Sequence, residues 1–440
     1  MTSMARMVSL LALLLGLAAG LAPARAELTA RQRRQVFDIV WGRVKERHFD
    51  AKLGGVDWNA VRRRYAPKAA AARDDASFYP VLSRMLGELK QSHFAILPPA
   101  AYAAEDEETS GPADPGLTVQ LVEDRAVVTE VAPGGAADEA GIRPGYEVTA
   151  IDGKPTAGIL KRVRARKLRP AAERLQVFIA AHSRLTGAPG TKVSVAWVDG
   201  SGTQASAALE RREPDGRPIR FGELPPIVPR FESRRLDGGI GYVRFSIFLM
   251  PVLQPIRHAI AAMHDATGLV IDLRGNFGGL GAMAPGVAAA ILNRQASLGV
   301  MKLRRGQVRF PVFPLPDPYR GPVVLLTDEA SLSTSEVLAG GLQELGRAKV
   351  VGRQTGGMVL PSIIEKLPGG ARLQYAIADF RTPGGILLEG RGVIPDIPVE
   401  LTRRLLLEKG DPTLAAAVAA LERAAQTDPR KAAGGAGGEE

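Results

Sequence analysis

The chain has 440 residues, 45% of them hydrophobic, and contains no cysteine. This length is enough for several hydrophobic cores, while the lack of cysteine excludes disulfides and thiolate metal sites. The formal net charge is +11, but the basic residues are scattered instead of clustered with aromatic residues, which disfavours nucleic acid as a partner.

The first residues have the pattern of a secretory signal peptide. Arg6 precedes an apolar stretch over residues 8–22, and Ala24-Arg25-Ala26 has small residues at the positions of a cleavage site. A membrane-spanning helix needs about 20 apolar residues, and Pro23 ends this stretch earlier. We therefore predict a signal peptide over residues 1–26 and a periplasmic or secreted mature protein. Peripheral association with an anionic envelope surface stays open.

Composition divides the mature chain into domains. Residues 103–115 are acidic with proline and small residues, residues 213–229 are rich in proline, and residues 430–440 end in Gly-Gly-Ala-Gly-Gly-Glu-Glu. The tail is predicted to be disordered because it has few apolar residues to bury. The other segments predict a helical N-terminal domain (27–102), a β-rich domain (114–212), an α/β core (236–408) and a C-terminal helix (409–429).

The N-terminal segment has apolar residues at helical spacing. Val36, Val40 and Val44 lie four residues apart, and Phe78, Leu82, Met85 and Leu89 show the same period. The segment ends in Gln91-Ser92-His93-Phe94. A lone histidine at a helix end is usually structural, and a serine there usually caps the helix.

Between the two linkers the pattern changes to strands, at residues 117–122 and 126–131. They are followed by Ala-Gly-Ile-Arg-Pro-Gly at 140–145 and Ala-Ile-Asp-Gly-Lys at 150–154. This region resembles a PDZ domain, which implies that an extended peptide adds to an exposed strand edge. Its C-terminal carboxylate would be held by the loop formed by Gly116, Leu117, Thr118 and Val119. The alternative is a β-rich spacer that binds nothing.

From residue 236 onward, predicted strands and helices alternate, which indicates an α/β core. Strands are predicted over residues 240–245, 269–273 and 323–326 and from residue 350, and helices over residues 251–264, 281–292 and 333–345.

A glycine-rich turn follows the strand at 269–273. Gly279-Leu-Gly-Ala-Met-Ala284 fits a dinucleotide-binding fingerprint, but no acidic residue for the ribose occurs between Asp272 and Asp317. Gly278 would instead offer a backbone N–H group to the oxyanion of an acyl-transfer transition state. A tight turn with no catalytic role is the remaining alternative.

Ser333 opens the helix after the next predicted strand. Ser333-Thr-Ser-Glu336 is a capping box, which alone needs no catalytic explanation. The same position exposes the Ser333 hydroxyl at the positive end of the helix and directs the Thr334 N–H towards a bound group. Nucleophile and second oxyanion donor would then lie side by side.

Four segments in register resemble the C-terminal processing (tail-specific) peptidases and their tricorn core protease relatives: Leu269–Gly279, the helix start at Ser333, Gly346–Gly357 and Leu388–Ile397. The resemblance extends over nearly the whole mature chain. It implies an α/β multidomain serine peptidase with a helical N-terminal domain, a PDZ domain and an α/β core. Ser333 would be the nucleophile, and no cofactor is implied.

The chain departs from the processing peptidases at the proton acceptor. Their lysine corresponds to Met358, which cannot accept a proton, and their glutamine corresponds to Ser362. Lys349 and Lys366 have no spacing that would bring them to the site. The likeness is therefore closer to the tricorn-like branch, which lacks this Ser–Lys dyad.

In the tricorn-like branch a histidine from the N-terminal part and a late glutamate replace the lysine. The resemblance carries these roles to His93, preceded by Ser92, and to Glu389, with His93 as base and the other two orienting it. A surface ion pair with Arg391 is the alternative for Glu389. His48, His182, His258 and His264 have no such context and no metal-binding spacing.

The sequence thus predicts an exported serine endopeptidase that cleaves unstructured or C-terminally presented polypeptides through an acyl-enzyme, with help from the PDZ domain. An inactive peptide-binding scaffold of the envelope is the second hypothesis. Hydrolysis of a small ester or amide is the third. The oligomeric state is not predicted.

Overall fold

A computed structural model describes residues 27–99, 111, 113–219 and 227–426 of the chain. The predicted signal peptide (1–26), most of the acidic linker and the predicted tail (430–440) lie outside these residues. Within the described ranges, no helix is both long enough and apolar enough to cross a membrane.

The N-terminal part consists of three helices and a short strand. The elements are α1 (Ala30–Arg47), α2 (Trp58–Ala70), α3 (Asp75–Gly87) and β1 (Ala95–Leu97), with a 3-10 turn at Leu53–Gly55. Side-chain oxygens of Thr29, Asp57 and Asp74 cap the three helix N-termini. The predicted periodic residues, such as Val36 and Leu82, form the buried face.

The predicted PDZ domain is a sheet with helices. Its elements are β2 (Leu117–Val122), β3 (Arg125–Val131), α4 (Ala136–Glu139), β4 (Glu147–Ile151), β5 (Lys154–Pro155), α5 (Ala157–Arg164), α6 (Pro170–Leu185), β6 (Lys192–Val198) and β7 (Gln204–Glu210). The strand order is β2-β3-β4-β6-β7, with β5 beside β4. Because β2 is an edge strand with α6 packed along it, a groove between them has an unpaired strand edge.

The remaining elements form the predicted α/β core and the C-terminal helices. They are β8 (Phe231–Leu236), β9 (Ile240–Phe245), α7 (Met250–Ala261), β10 (Leu269–Asp272), α8 (Met283–Ala288), β11 (Ala296–Leu303), β12 (Gln307–Val312), β13 (Val323–Thr327), α9 (Thr334–Glu344), β14 (Lys349–Gly352), β15 (Ser362–Lys366), β16 (Arg372–Ala376), β17 (Ala378–Arg381), β18 (Ile397–Pro398), α10 (Arg403–Lys409) and α11 (Pro412–Gln426).

A central sheet in the order β18-β14-β13-β10-β9-β8 organises the core. All pairs in it are parallel except β8 with β9. Leu269 and Ile271 pack under α7, α8 and α9, whereas Val270 packs under α11. Both faces are therefore buried, as in other parallel sheets. The turns after β10 and β13 meet at the carboxyl edge, where α/β proteins bind ligands.

Three elements differ from the sequence prediction. The central sheet begins with β8, between the predicted linker (213–229) and the predicted start of the core at residue 236, because β8 pairs with β9. The helix expected over residues 281–292 extends only over Met283–Ala288, a segment that contains Pro285 and Gly286. The helix predicted over residues 409–429 corresponds to α11, but α10 before it was not predicted; α10 ends at Gly410, whose φ is +66°.

The N-terminal helices share their hydrophobic core with the peptidase core. Strand β1 pairs with β16, which pairs with β15, in a separate three-stranded sheet. Leu373 and Tyr375 of β16 are buried in the same cluster as Val36 and Phe78. This joint packing holds the Gln91–Phe94 segment, which directly precedes β1, against the core.

We expect Leu373→Ala to lower the free energy of unfolding by about 2–5 kcal/mol, because it opens a cavity at a fully buried position. Urea denaturation measures the loss, and hydrogen exchange should rise in α1 and α3. Ile363→Ala on the neighbouring strand is the control, because Ile363 is 41% exposed and such surface changes stay within about 0.5 kcal/mol. Unchanged exchange in the N-terminal helices would contradict the shared core.

Candidate active site

Ser333 is the N-cap residue of α9, in a backbone conformation that non-glycine residues rarely adopt. Its φ and ψ are +55° and −113°. The Glu336 carboxylate accepts the Ser333 N–H at 3.0 Å, as the capping box predicts, and the Glu336 N–H donates to the Ser333 carbonyl at 2.9 Å. These two bonds fix the backbone of Ser333 at the start of the helix.

Glu336 also fixes the loop that faces the nucleophile. This buried carboxylate accepts the N–H groups of Gly357 at 2.9 Å and Met358 at 3.0 Å and the hydroxyl of Thr355. Burial raises the pKa of Glu336 to about 7, while the hydrogen bonds that it accepts favour the ionised form. Residues 355–358 are thus held against the start of α9.

Ser92, His93 and Glu389 form a hydrogen-bonded chain. Ser92 Oγ lies 2.7 Å from His93 Nδ1 and donates to Glu389 Oε2 at 2.9 Å. The Ser92 N–H donates to the other carboxylate oxygen at 2.8 Å, and the Val359 N–H donates to Oε2 at 3.0 Å. Because the Ser92 proton points to Glu389, His93 Nδ1 must carry the proton and Nε2 is left as an acceptor. Nε2 is the atom that a general base needs.

The environment of these groups keeps His93 neutral. Burial lowers the pKa of His93 to about 4 and raises the pKa of Glu389, whose hydrogen bonds with Ser92 and Val359 oppose that rise. His93 also has a positive φ of +59°, so its backbone is held by its surroundings instead of by local preference.

Ser333 and His93 line the same cavity, together with Gly278 and Thr334. Among the described residues, no hydrogen bond joins the His93 imidazole to the Ser333 hydroxyl. Catalytic hydrogen bonds are often long without substrate and shorten in the substrate complex. The structure therefore brings the two groups to one site and leaves their direct bond as a prediction.

The glycine-rich turn lies directly against the nucleophile. A Cβ atom at Gly278 would be 2.7 Å from the Ser333 Cβ. The Gly278 N–H, our predicted oxyanion donor, donates to Asn276 Oδ1 at 2.9 Å. Within the described part of the chain, the N–H groups of Gly279 and Thr334 have no acceptor, and the Gly279 carbonyl accepts the Thr334 hydroxyl at 2.9 Å. A role for Gly278 therefore requires its bond to Asn276 to open.

The position of the family lysine has an apolar environment. The Met358 side chain packs with Leu175, Phe178, Ala330 and Leu332, and its carbonyl accepts the Ser333 N–H at 3.0 Å. Lys349 lies 3.6 Å from Asp396, and none of the described residues that line the cavity is a lysine. Ser362, at the glutamine position, accepts a hydrogen bond from Gln374 at 2.9 Å.

The predicted peptide-binding loop reaches the same cavity. Gly116 and Thr118 line it, whereas Leu117 and Val119 point into the core of the domain. The Gly116 N–H donates to Asp114 Oδ1 at 2.7 Å. The cavity continues from this loop to Ser333 with a volume of about 1820 Å³, more than the roughly 300–1,000 Å³ of small-molecule sites.

The β-rich domain rests on the loop before the nucleophile. Leu175 and Phe178 of α6 pack against Ala330 and Leu332. Beside them, Arg353 binds the buried Glu329 at 2.8 Å and the Gln120 side chain of β2. Because Glu329, Ala330 and Leu332 lie within four residues of Ser333, the position of the domain and that of Ser333 depend on each other.

Three family models match the chain in this order: the tricorn protease C1 domain at residues 29–87, a PDZ domain at 127–173 and peptidase family S41 at 239–399. The chain is similar to peptidase family S41 over its core, residues 239–399. It is a serine peptidase, and the predicted fold class is confirmed. The matched helical, PDZ and peptidase regions are those described above.

Proteins similar to this chain come from both predicted branches. A carboxyl-terminal-processing protease of Synechocystis sp. is 26% identical, over 82% of this chain and 79% of that protein. A putative tricorn protease homolog 2 of Streptomyces coelicolor is 26% identical, over 91% of this chain and 33% of that protein. A structure of the photosystem II D1 C-terminal processing protease has the same fold, with a TM-score of 0.58, 24% identity and coverage of 86% and 95% of the two chains.

Two residues at the site were not predicted. Asn276 is buried and binds the Phe245 carbonyl at 2.7 Å, the Gly278 N–H, and, through its own carbonyl, the Ser335 hydroxyl at 2.9 Å. The backbone N–H of Val359 orients Glu389. The position of Asn276 inside the glycine-rich motif could have identified it. The contact of Val359 is made by its backbone N–H, so its side-chain type gives no signal in the sequence.

Gly278→Ala is expected to abolish activity, because the new Cβ atom would lie 2.7 Å from both the Ser333 Cβ and the Leu332 carbonyl. The matched control is Gly275→Ala. Its φ of +70° imposes similar backbone strain, but its Cβ atom would have open space. Both variants should lose about 1–3 kcal/mol of stability, and only the first should lose peptide hydrolysis. Equal activities of the two variants would contradict the close approach of the Gly278 backbone to Ser333.

His93 should stay neutral far below the usual histidine pKa of about 6.5, because burial lowers its pKa to about 4. Its folded pKa is depressed, so its contribution to stability is present above pH 6.5 and is lost as the pH falls towards 4. NMR titration of ¹³C-labelled histidine rings measures this, with His93→Gln assigning the signal. A midpoint at or above 6.5 would show that the ring is solvated or paired with a charge.

Proposed function

We propose that this serine peptidase is an exported endopeptidase that cleaves extended polypeptides at Ser333, with His93 as its general base. The observation that carries the proposal is the hydrogen-bonded chain Glu389–Ser92–His93 beside the cavity of Ser333. No lysine lines the described part of that cavity. His93 therefore supplies the proton acceptor that Met358 cannot.

The chemistry follows from the proton positions. His93 Nε2 accepts the Ser333 hydroxyl proton as Oγ attacks the substrate carbonyl carbon, while Nδ1–H stays bonded to Ser92 and through it to Glu389. The Thr334 N–H and the glycine turn at Gly278 and Gly279 bind the oxyanion. His93 then donates the proton to the leaving amine, and an acyl-enzyme remains. Water, deprotonated by His93, hydrolyses this ester.

The shape of the cavity supports a polypeptide substrate. An extended chain can add to the β2 edge beside Gly116 and Thr118 and continue to Ser333 within one cavity. The relatives named for carboxyl-terminal processing point to substrates presented by their C-termini. Export rests on the signal-peptide pattern of residues 1–26. The domain division at 27–102, 114–212 and 236–408 is part of the same proposal.

The test is hydrolysis of an unfolded protein and of a fluorogenic peptide by three variants. Ser333→Ala and His93→Ala should lower kcat by at least about 10⁴-fold, because each removes a member of the same catalytic unit. Met358→Ala should keep kcat/KM within about 10-fold, since only packing is lost. Circular dichroism checks that each variant is folded.

Activity of Ser333→Ala equal to that of the unaltered protein would refute the assignment. A loss of activity in Met358→Ala but not in His93→Ala would also refute it. If the unaltered protein hydrolyses neither peptides nor esters but binds C-terminal peptides, the scaffold hypothesis replaces this one. Hydrolysis of small esters without cleavage of peptides would favour the third hypothesis.

A further inference from the structure

His48 is a buried titratable residue that takes no part in the mechanism above. It follows α1 as the C-cap residue and is 0% exposed. Nothing in its sequence context distinguished it from the other histidines. In the structure, however, its ring contacts Gln91 and Phe94, the two residues that flank Ser92 and His93.

The two nitrogen atoms of His48 have defined partners. Nδ1 accepts the Asp50 N–H at 2.9 Å, and Nε2 lies 2.8 Å from the Gln91 side-chain oxygen Oε1. Because Nδ1 is an acceptor, the proton must be on Nε2, which donates to Gln91. Burial lowers the pKa of His48, in keeping with a neutral ring.

Two neighbouring aromatic rings also stack on the His48 ring. Phe94 stacks on it with a centroid distance of 5.3 Å and an interplanar angle of 13°, and Phe49 stacks at 4.5 Å and 22°. His48 therefore contacts the residue before Ser92 and the residue after His93. Contacts on both sides of a dipeptide fix its backbone more firmly than a contact on one side.

The segment needs such support, because its backbone is strained. Lys90 and His93 both have positive φ, +53° and +59°, a region that non-glycine residues occupy only when their surroundings impose it. The peptidase core holds the segment from one side, through the bonds between Ser92 and Glu389. His48, from the N-terminal helices, holds it from the other.

We propose that His48 is a positioning residue of the catalytic base: its ring fixes Gln91 and Phe94 so that His93 Nε2 points at Ser333. The proposal rests on the proposed function, since it presupposes His93 as the base. His48 would affect proton transfer only by positioning His93, and it would have no part in substrate binding. Displacing a catalytic group by about 1 Å can cost about 10²-fold in rate.

The experiment compares His48→Phe, Gln91→Leu and the control His258→Gln, whose side chain is exposed on α7. His48→Phe keeps an aromatic ring that can stack with Phe49 and Phe94 but loses both hydrogen bonds. Gln91→Leu removes one of these bonds and leaves the His48 ring in place. For the folded fraction of both, we expect kcat to fall about 10- to 100-fold with KM within about 2-fold. The NMR signal of the His93 ring should shift in both and stay unchanged in the control.

Two results would overturn the proposal: an unchanged kcat in folded Gln91→Leu, or a loss of kcat without any change at the His93 ring. If His48→Phe does not fold, Gln91→Leu still decides, because it retains His48. Ser333→Ala is measured in parallel. Inactive Ser333→Ala together with fully active His48→Phe refutes only the role of His48, whereas active Ser333→Ala refutes the proposed function itself.

Discussion

The pair of hydrogen bonds between Ser92 and Glu389 is the interaction on which the proposed site depends. It joins residues that are 297 positions apart in the chain. The imidazole of His93 belongs to the N-terminal part, so it reaches the cavity of Ser333 only when the N-terminal helices are docked on the core. The pairing of β1 with β16 and their shared hydrophobic cluster provide that docking. A change that weakens the packing of the N-terminal helices on the core should therefore also displace His93, the proposed base.

The loop that carries Met358 shows how one part of a catalytic site can change while the rest stays. Its backbone contacts the proposed nucleophile, since the Met358 carbonyl accepts the Ser333 N–H together with the Glu336 carboxylate. Its side chain lies among Leu175, Phe178 and Leu332, where burial would make an ammonium group costly. In the proposed mechanism the loop therefore helps to position Ser333, and the proton acceptor comes from the N-terminal part.

Local patterns predicted most of this fold. The parallel strands appeared as short apolar runs, and Ser333 with Glu336 marked the start of α9, because each signal lies within a few neighbouring residues. Strand β8 depends on its pairing with β9, and α8 is short in a segment that contains Pro285 and Gly286. The additional helix α10 ends at Gly410. The role of His48 could not be predicted, because stacking on Phe94 and bonding to Gln91 arise only when distant segments meet.

The two proposed catalytic residues, Ser333 and His93, both have a strained backbone conformation. Ser333 and His93 both have φ values in the left-handed region, +55° and +59°, although neither is a glycine, and they belong to different parts of the chain. A strained conformation persists only where surrounding contacts determine it, and here those contacts are Glu336 on one side and Glu389 and His48 on the other. Both proposed reacting groups are therefore held in place by polar residues around them before substrate arrives. Such preorganisation lowers the cost of reaching the transition state, because the groups need little reordering when the reaction begins.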